Sequence, residues 1–536
     1  MYDYVIVGGG SAGCVLANRL SADGHHRVCL LEAGPRDDSP LIRMPAGVIA
    51  LMRSSTYNWQ FWTAPQPAMG GRRLYWPRGR TLGGSSSINA MCYIRGNAWD
   101  YDHWAALGNP GWSYAEVLPY FKRLENFEPG ADEFHGTGGP LNVTRLRQPN
   151  PLSAVYLEAA RQAGYAHNPD FNGARQEGMG YYHVAQKDGE RCSNARAYLR
   201  PAEGRSNLEI LTGVHATRVL FEGRRAVGVR YYAGGVYREV HARREVILSA
   251  GAVGSPHLLL LSGVGPAEEL RRHAISVIHE LPGVGKNLQD HLDVLVSMRS
   301  RTRLGFSFHP LSLVRSLKAL VQYLFGRRGE LTSNIAEAGG FLKSDPSEVI
   351  PDLQFHFVPL VNAHHGLDLR PLFRYYGYSI LACDLRPRSR GEIRLASADP
   401  LVPPEIDPRH FEDPRDLDKL VIAIRKAREI FAQPAFAPHN AEELEPGPGV
   451  RSDDELRQWV REHAETLYHP VGTCKMGADP MAVVDARLRV HGLSGLRVVD
   501  ASIMPTLVGG NTNAPTTMIA EKGADMILAD ARMASH

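Results

Sequence analysis

A chain of 536 residues is longer than one hydrophobic core usually serves, which predicts two domains or one domain enlarged by insertions. Its 43% hydrophobic and 22% charged residues match an ordinary soluble protein, and no stretch reaches the roughly 20 uninterrupted apolar residues of a membrane span, so an integral membrane protein is excluded. The net charge of +3 is spread without a basic arm or stripe, which removes nucleic acid from the expected partners and leaves the substrate unidentified.

Met1 leads directly into Asp3-Tyr4-Val5-Ile6-Val7, with no basic region, apolar signal core or cleavage site ahead of it, so a cytoplasmic location is expected. Residues 4–7 read as a strand, 14–20 carry helical spacing, and 27–32 form a second apolar run ending on a carboxylate. Residues 40–112 are rich in Gly, Pro, Ser and Trp with little periodicity, which predicts long ordered segments wrapped over a ligand rather than independent elements. Strands are expected at 208–211, 226–232 and 246–250, with a helix from Pro256. Further on, 353–358 and 378–385 read as strands, and 416–432 and 453–465 as helices. The chain closes on a strand at 496–499 and a helix at 516–528. Cys14, Cys29, Cys92, Cys192, Cys383 and Cys474 are scattered without a Cys-x-x-Cys pair and read as buried thiols, with neither a metal site nor a disulfide framework.

Gly8-Gly9-Gly10-Ser11-Ala12-Gly13 places glycines at the first, third and sixth positions of Gly-x-Gly-x-x-Gly, directly after a strand and opening a helix. Gly8 permits the tight turn, Gly10 lets a pyrophosphate approach the backbone, and Gly13 allows close helix packing. The helix N-terminus, through Ser11 and Ala12, then faces the phosphates with free N–H groups. Glu32 closes the second strand about twenty residues later, where a carboxylate accepts hydrogen bonds from an adenosine ribose and disfavours a 2′-phosphate. The motif does not separate FAD from NAD.

Gly79-Arg80-Thr81-Leu82-Gly83-Gly84-Ser85-Ser86-Ser87-Ile88-Asn89 resembles the first signature of the glucose-methanol-choline oxidoreductases, which are FAD enzymes. Gly251-Ala252-Val253-Gly254-Ser255-Pro256 resembles the second, and Pro282-Gly283-Val284-Gly285-Lys286-Asn287-Leu288-Gln289-Asp290-His291 the segment after it. His469-Pro470-Val471-Gly472-Thr473 and Val499-Asp500-Ala501-Ser502-Ile503-Met504-Pro505 complete the family's order, so the resemblance spans the chain.

The resemblance implies an α/β fold: a Rossmann-like FAD-binding domain assembled from residues 1–155, 204–291 and 465–536, and a substrate-binding domain on an antiparallel sheet from 156–203 and 292–464. It also implies that Leu82, Gly84, Asn89, Ala90 and Met91 lie along the flavin and that the backbone of Val214 meets adenine. Asp500 and Ala501 would stand near the pyrophosphate and ribityl chain, and Asn513 and Thr516 beside the flavin. Ile88 occupies the place where some members tether FAD through a His, so the resemblance implies noncovalent FAD.

Alcohol oxidation removes a hydroxyl proton and a hydride from one carbinol group, and the protein must supply the base. Composition does not choose among 22 histidines. The resemblance selects His469 as general base, with Asn511 in the second catalytic position, where an amide can donate to the substrate oxygen but cannot act as a base. Within the family, segments such as Leu30-Leu31-Glu32-Ala33-Gly34 and Ala338-Gly339-Gly340-Phe341 look most like bacterial alcohol dehydrogenases acting on aliphatic or polyether primary alcohols. Choline dehydrogenases, O2-using alcohol oxidases and hydroxynitrile lyases of the same fold are the alternatives, and the electron acceptor is expected to be quinone of a respiratory chain or O2.

Residues 313–325 repeat apolar side chains at 313, 314, 317, 320, 321, 324 and 325, with Arg315 and Lys318 off that face and Arg327 and Arg328 following. This spacing predicts an amphipathic helix, for which packing against the core is the ordinary expectation. Guarding an apolar entrance and peripheral contact with an anionic membrane, on the inner face, are the other two roles open to it.

Overall fold

The computed structural model describes residues 1–361 and 367–533; the stretches 292–464 and 465–536 named above extend beyond these at 362–366 and 534–536, which lie outside the described residues. The fold is mixed α/β and is organised by two seven-stranded sheets. In the first, the strands Leu208–Thr212, Val28–Glu32, Tyr2–Val7 and the end of Val236–Leu248 run parallel side by side, and Leu496–Val498 pairs parallel beyond them. Val5, Ile6 and Leu30 are wholly buried, as expected where helices cover both faces of a parallel sheet. The early half of Val236–Leu248 turns to a second task, pairing antiparallel with Arg225–Ala233, which pairs antiparallel with His215–Glu222.

The second sheet is antiparallel throughout, in the order Asn440–Glu445, Leu292–Ser300, Gly377–Asp384, Leu353–Val358, Ala338–Leu342, Gly178–Tyr181. The helix Pro414–Phe431 buries Leu420, Ile424 and Ala427 in the same core as Phe355, Phe357 and Ile380 of this sheet. Glu465–Thr466 also joins it, against Leu292–Ser300, just before the His469 segment.

Most expected elements are present, with differences that have local causes. The helix expected from Pro256 spans Gly251–Leu261, with the proline inside it. Pro256 cannot donate to the carbonyl of Ala252. The hydroxyl of Thr473 donates to that oxygen instead, at 2.7 Å. The stretch 40–112, expected to lack independent elements, contains the helix Ala98–Ala106, which buries only Asp100, Tyr101 and Trp104. It is specified by its end: Asn97 and Asp100 form a capping box. The strand His215–Glu222 was not expected, and Val236–Leu248 begins ten residues before the expected 246 because its early, charge-rich part is mostly exposed, with only Val240 and Ala242 buried.

The helix at 313–325 forms as Leu313–Gly326, but its packing overturns the core expectation. Val314 is 80% and Phe325 87% exposed, whereas Ala319 and Tyr323 face the protein. All six cysteines are buried and free.

Candidate active site

A cavity of about 440 Å³ runs from the first sheet to the second. At one end it is walled by Gly8, Gly10, Ser11, Ala12, Glu32 and Val214; at the other by His469 and Asn511. Gly84, Asn89, Ala90, Met91, Asp500, Ala501, Asn513 and Thr516 line it between them. Leu82 and Gly13, also singled out in the sequence, lie behind this wall. Leu82 is 1% exposed, and its Cδ2 stands 3.1 Å from where a Cβ on Gly9 would be.

The glycines of the first turn have separate reasons. A Cβ on Gly13 would fall 1.9 Å from the carbonyl oxygen of Gly8, and one on Gly8 2.5 Å from that of Ser249, so helix and strands can approach only without side chains there. A Cβ on Gly10 would meet nothing closer than 3.9 Å, so its backbone faces open space. Helices begin on the wall at Ser11, Gly251 and Asn513, and none of the three has an acidic residue in its first turn. At Ser11 and Asn513 free N–H groups and helix dipoles around open space suit a diphosphate, whereas the start at Gly251 is already met by the Asp500 carboxylate. The Asn513 amide donates to the Ser11 hydroxyl at 2.9 Å and joins two of these ends.

Glu32 accepts from the Gly9 N–H at 2.8 Å and the Gly34 N–H at 2.7 Å. Burial pushes its carboxyl up to about 7 in spite of these two donors. Asp500 is held in the same way: Gly251 N–H and the Ser255 hydroxyl donate to one oxygen, Ser502 N–H and hydroxyl to the other. Its carboxyl fastens the start of the helix Gly251–Leu261 to the cavity wall. The Arg191 guanidinium donates to the Asn89 carbonyl and side-chain oxygens at 2.6 and 2.9 Å, while the Asn334 amide donates to Ala90 O at 2.9 Å. The Asn334 side-chain oxygen, buried at the cavity wall, has no hydrogen-bond partner among the described residues. The set of donors, the open backbone and the cavity-lining carboxylate of Glu32 fit FAD along this cavity.

At the far end His469 is 9% exposed and is fixed through main chain and ring. Its N–H donates to Asp290 Oδ1 at 2.7 Å, and the other Asp290 oxygen takes the Thr466 hydroxyl. Burial pushes the Asp290 carboxyl up to about 7, against the pull of Thr466, Arg78 and the backbone donors. Tyr468, immediately before, sits at φ +68° and its carbonyl accepts from Arg78 Nη2 at 2.6 Å. A left-handed tyrosine costs about 1–3 kcal/mol, which this bonding must offset.

The His469 ring contacts His291 Nδ1 through its own Nδ1 at 2.9 Å, and Asn511 Nδ2 through Nε2 at 3.3 Å. Its pKa lies well below the ordinary value because of burial first, then the nearby His291, His356 and Arg78. Asn511 is aimed from its other side, since its Oδ1 accepts from Gln354 Nε2 at 3.1 Å. The preceding loop is pinned by Asp100, whose carboxylate accepts from Gly509 N–H at 2.8 Å and pairs with Arg386. Asp100, Asp290, His291 and Gln354 were not singled out as functional. Asp290 and His291 stand together in a quoted motif, the one signal that could have found them; Asp100 and Gln354 carry none.

The GMC oxidoreductase family models match residues 2–293 and 387–520. An alcohol dehydrogenase [acceptor] from Pseudomonas putida is 53% identical, covering 100% of this chain and 97% of that protein. Mitochondrial choline dehydrogenase from Mus musculus is 47% identical over 98% of this chain and 89% of its own. Among solved structures, pyridoxine 4-oxidase from Mesorbium loti superposes with a TM-score of 0.89 at 33% identity, covering 98% of this chain and 99% of that one. Aspergillus oryzae formate oxidase, whose structure concerns FAD modification, gives a TM-score of 0.92 at 27% identity over 99% and 98%. With full-length matches around a cavity of this construction, the chain belongs to the GMC oxidoreductase family and is an FAD-dependent oxidoreductase of CH–OH groups.

Proposed function

We propose that this enzyme oxidises neutral primary alcohols, aliphatic and of medium or longer chain, to aldehydes, with His469 as general base. The reading rests on one observation: a neutral imidazole nitrogen and an amide donor, His469 Nε2 and Asn511 Nδ2, lie 3.3 Å apart at the end of a cavity whose adjoining wall carries Val358, Leu360, Leu372 and Leu381. A hydroxyl seated there can give its proton to Nε2 while the amide of Asn511 donates to its oxygen and orients it. The aliphatic wall excludes water and receives the alkyl chain.

Bound FAD supplies the acceptor for the hydride. Gly8, Gly10, Ser11, Ala12, Glu32, Val214, Asp500 and Ala501 would hold its adenosine and diphosphate, and Gly84, Asn89, Ala90, Met91, Asn513 and Thr516 its flavin end, with Leu82 and Gly13 supporting from behind. Ile88 lines the cavity with a side chain that has no atom able to form a tether, which supports noncovalent binding.

Choline is the second reading, favoured by the choline dehydrogenases among the relatives and by Asp368 on the wall. Asp368 is already paired with Arg370 at 2.8 Å, which weakens its pull on a quaternary ammonium. The two readings separate in one titration: the visible flavin bands are followed anaerobically on adding octan-1-ol or choline. Bleaching by octan-1-ol is expected. Bleaching by choline alone would overturn the aliphatic assignment, and an absence of flavin after reconstitution would overturn the whole reading. Readmitting air then tells O2 from quinone as electron acceptor, by whether peroxide forms.

A further inference from the structure

We propose that the helix Leu313–Gly326 is a docking surface for an anionic lipid bilayer, lying flat on it with its apolar stripe inserted at the headgroup boundary. A helix that serves a core turns its apolar face inward. This one is reversed. Leu313, Val314, Leu317, Leu320, Val321 and Leu324 are between 43% and 80% exposed. At about 100° per residue these side chains, with Phe325, cover an arc of about 140° on one face.

The opposite face holds the helix to the protein. Ala319 and Tyr323 are buried, and Arg315 pairs with Glu330 while donating to the carbonyls of Arg303, Leu304 and Gly305. The helix is therefore seated by its polar and small residues and offers its hydrophobic ones outward. The patch continues past the helix: Leu311 is 61%, Phe308 48% and Phe373 54% exposed, and the rings of the two phenylalanines stand 5.5 Å apart. Isolated exposed apolar residues need no explanation, but a contiguous stripe of this length does.

Charge selects the occupant. From residue 294 through residue 329 every Asp, Glu, Lys or Arg position is Lys or Arg. Of these Arg301, Arg303, Lys318 and Arg328 are exposed and make no ion pair among the described residues. An anionic surface satisfies both the stripe and these cations, each cation adding on the order of 1 kcal/mol, or about fivefold, near such a surface. A second copy of the chain packed face to face would instead bring like charges together. The placement has a consequence for the cavity. The Phe308 N–H donates to the carbonyl of Leu372 at 2.8 Å, and Leu372 lines the cavity wall, so a docked enzyme would hold the apolar mouth close to the lipid.

The test is flotation of the FAD-loaded enzyme with vesicles of phosphatidylcholine plus phosphatidylglycerol, against phosphatidylcholine alone, at low and high salt. Binding to the anionic vesicles that weakens with salt is expected, falling at least ~10-fold in the doubly substituted L317D/V321D. K318A and R328A should each weaken it about fivefold. The substituted proteins should keep their flavin content and their rate with a water-soluble alcohol, which shows that they fold. Failure of the parent enzyme to float with either vesicle would overturn the proposal. So would a concentration-dependent dimer, abolished by L317D/V321D, in a protein that ignores vesicles.

Discussion

His291 and His469, 178 positions apart, meet Nδ1 to Nδ1 at 2.9 Å, with their rings nearly perpendicular at 86°. The contact determines which nitrogen of His469 is free. His291 Nε2 faces the carbonyl of Leu385 at 3.3 Å, and a carbonyl can only accept, so this nitrogen carries a proton. Burial above all holds the His291 pKa down to about 3, so the ring is neutral and its Nδ1 must accept. His469 Nδ1–H is then the donor, and the lone pair of His469 is left on Nε2, toward Asn511 and the cavity. The tautomer that a general base requires is imposed from behind. In the proposed function His291 is a positioning residue.

Replacing His291 by Ala should lower the anaerobic rate of flavin reduction about tenfold or more while leaving substrate KM little changed, since the ring is lost as an acceptor but the cavity wall is not. His291→Asn, whose side chain offers both an acceptor and a donor, should recover part of the rate. Equal losses in both variants, with KM rising in parallel, would reduce His291 to a packing role.

His469→Ala should retain FAD and lose at least ~10²-fold in flavin reduction. A variant with the parent rate would remove His469 from the mechanism.

The pH profile follows from the sign of the His469 shift. The proposed base works when neutral, and the His469 pKa lies below the ordinary histidine value of 6.5. It is therefore neutral throughout the range above that value and stays neutral somewhat below it. The acid limb of kcat/KM is expected below pH 6.5, with a level region above. Stopped-flow reduction across pH would reveal a limb near 7 if the shift were in the other direction.

Asn511→Ala removes the amide that faces His469 Nε2 and, in the proposed function, donates to the substrate oxygen. The expected loss is about 10²-fold in kcat, the usual cost of one positioned donor, with flavin content unchanged. Loss of flavin in this variant would move Asn511 from the substrate side to the cofactor side.

Gly13→Ala and Glu32→Gln should both be isolated poor in flavin. The first places a Cβ 1.9 Å from Gly8 O and pushes the helix off the strand. The second sets an amide donor against the Gly9 or Gly34 N–H that a carboxylate now accepts. The ratio of flavin to protein absorbance measures both, and full occupancy in either would contradict the dinucleotide site.

Neighbours in the chain encode the local elements. The order of strand, glycine turn and helix over residues 2–20, the strand Leu353–Val358 and the helix Asp453–His463 follow from periodicity and turn chemistry within a few residues. The placement of His469 and Asn511 was legible because their motifs resemble a family's, and the fold brings both to one cavity end. Tertiary structure alone decided which groups stand behind them. Asp100 reaches the Gly509 backbone across 409 positions, and Thr473 takes the carbonyl that Pro256 leaves free from 221 positions away. No local pattern carries such pairings, because a hydrogen bond depends on where the chain returns. The helix Leu313–Gly326 makes the same point in reverse: its amphipathic period was plain in the sequence, but period alone does not say which face meets the protein, and here Arg315 anchors the polar side while the apolar side is left outward.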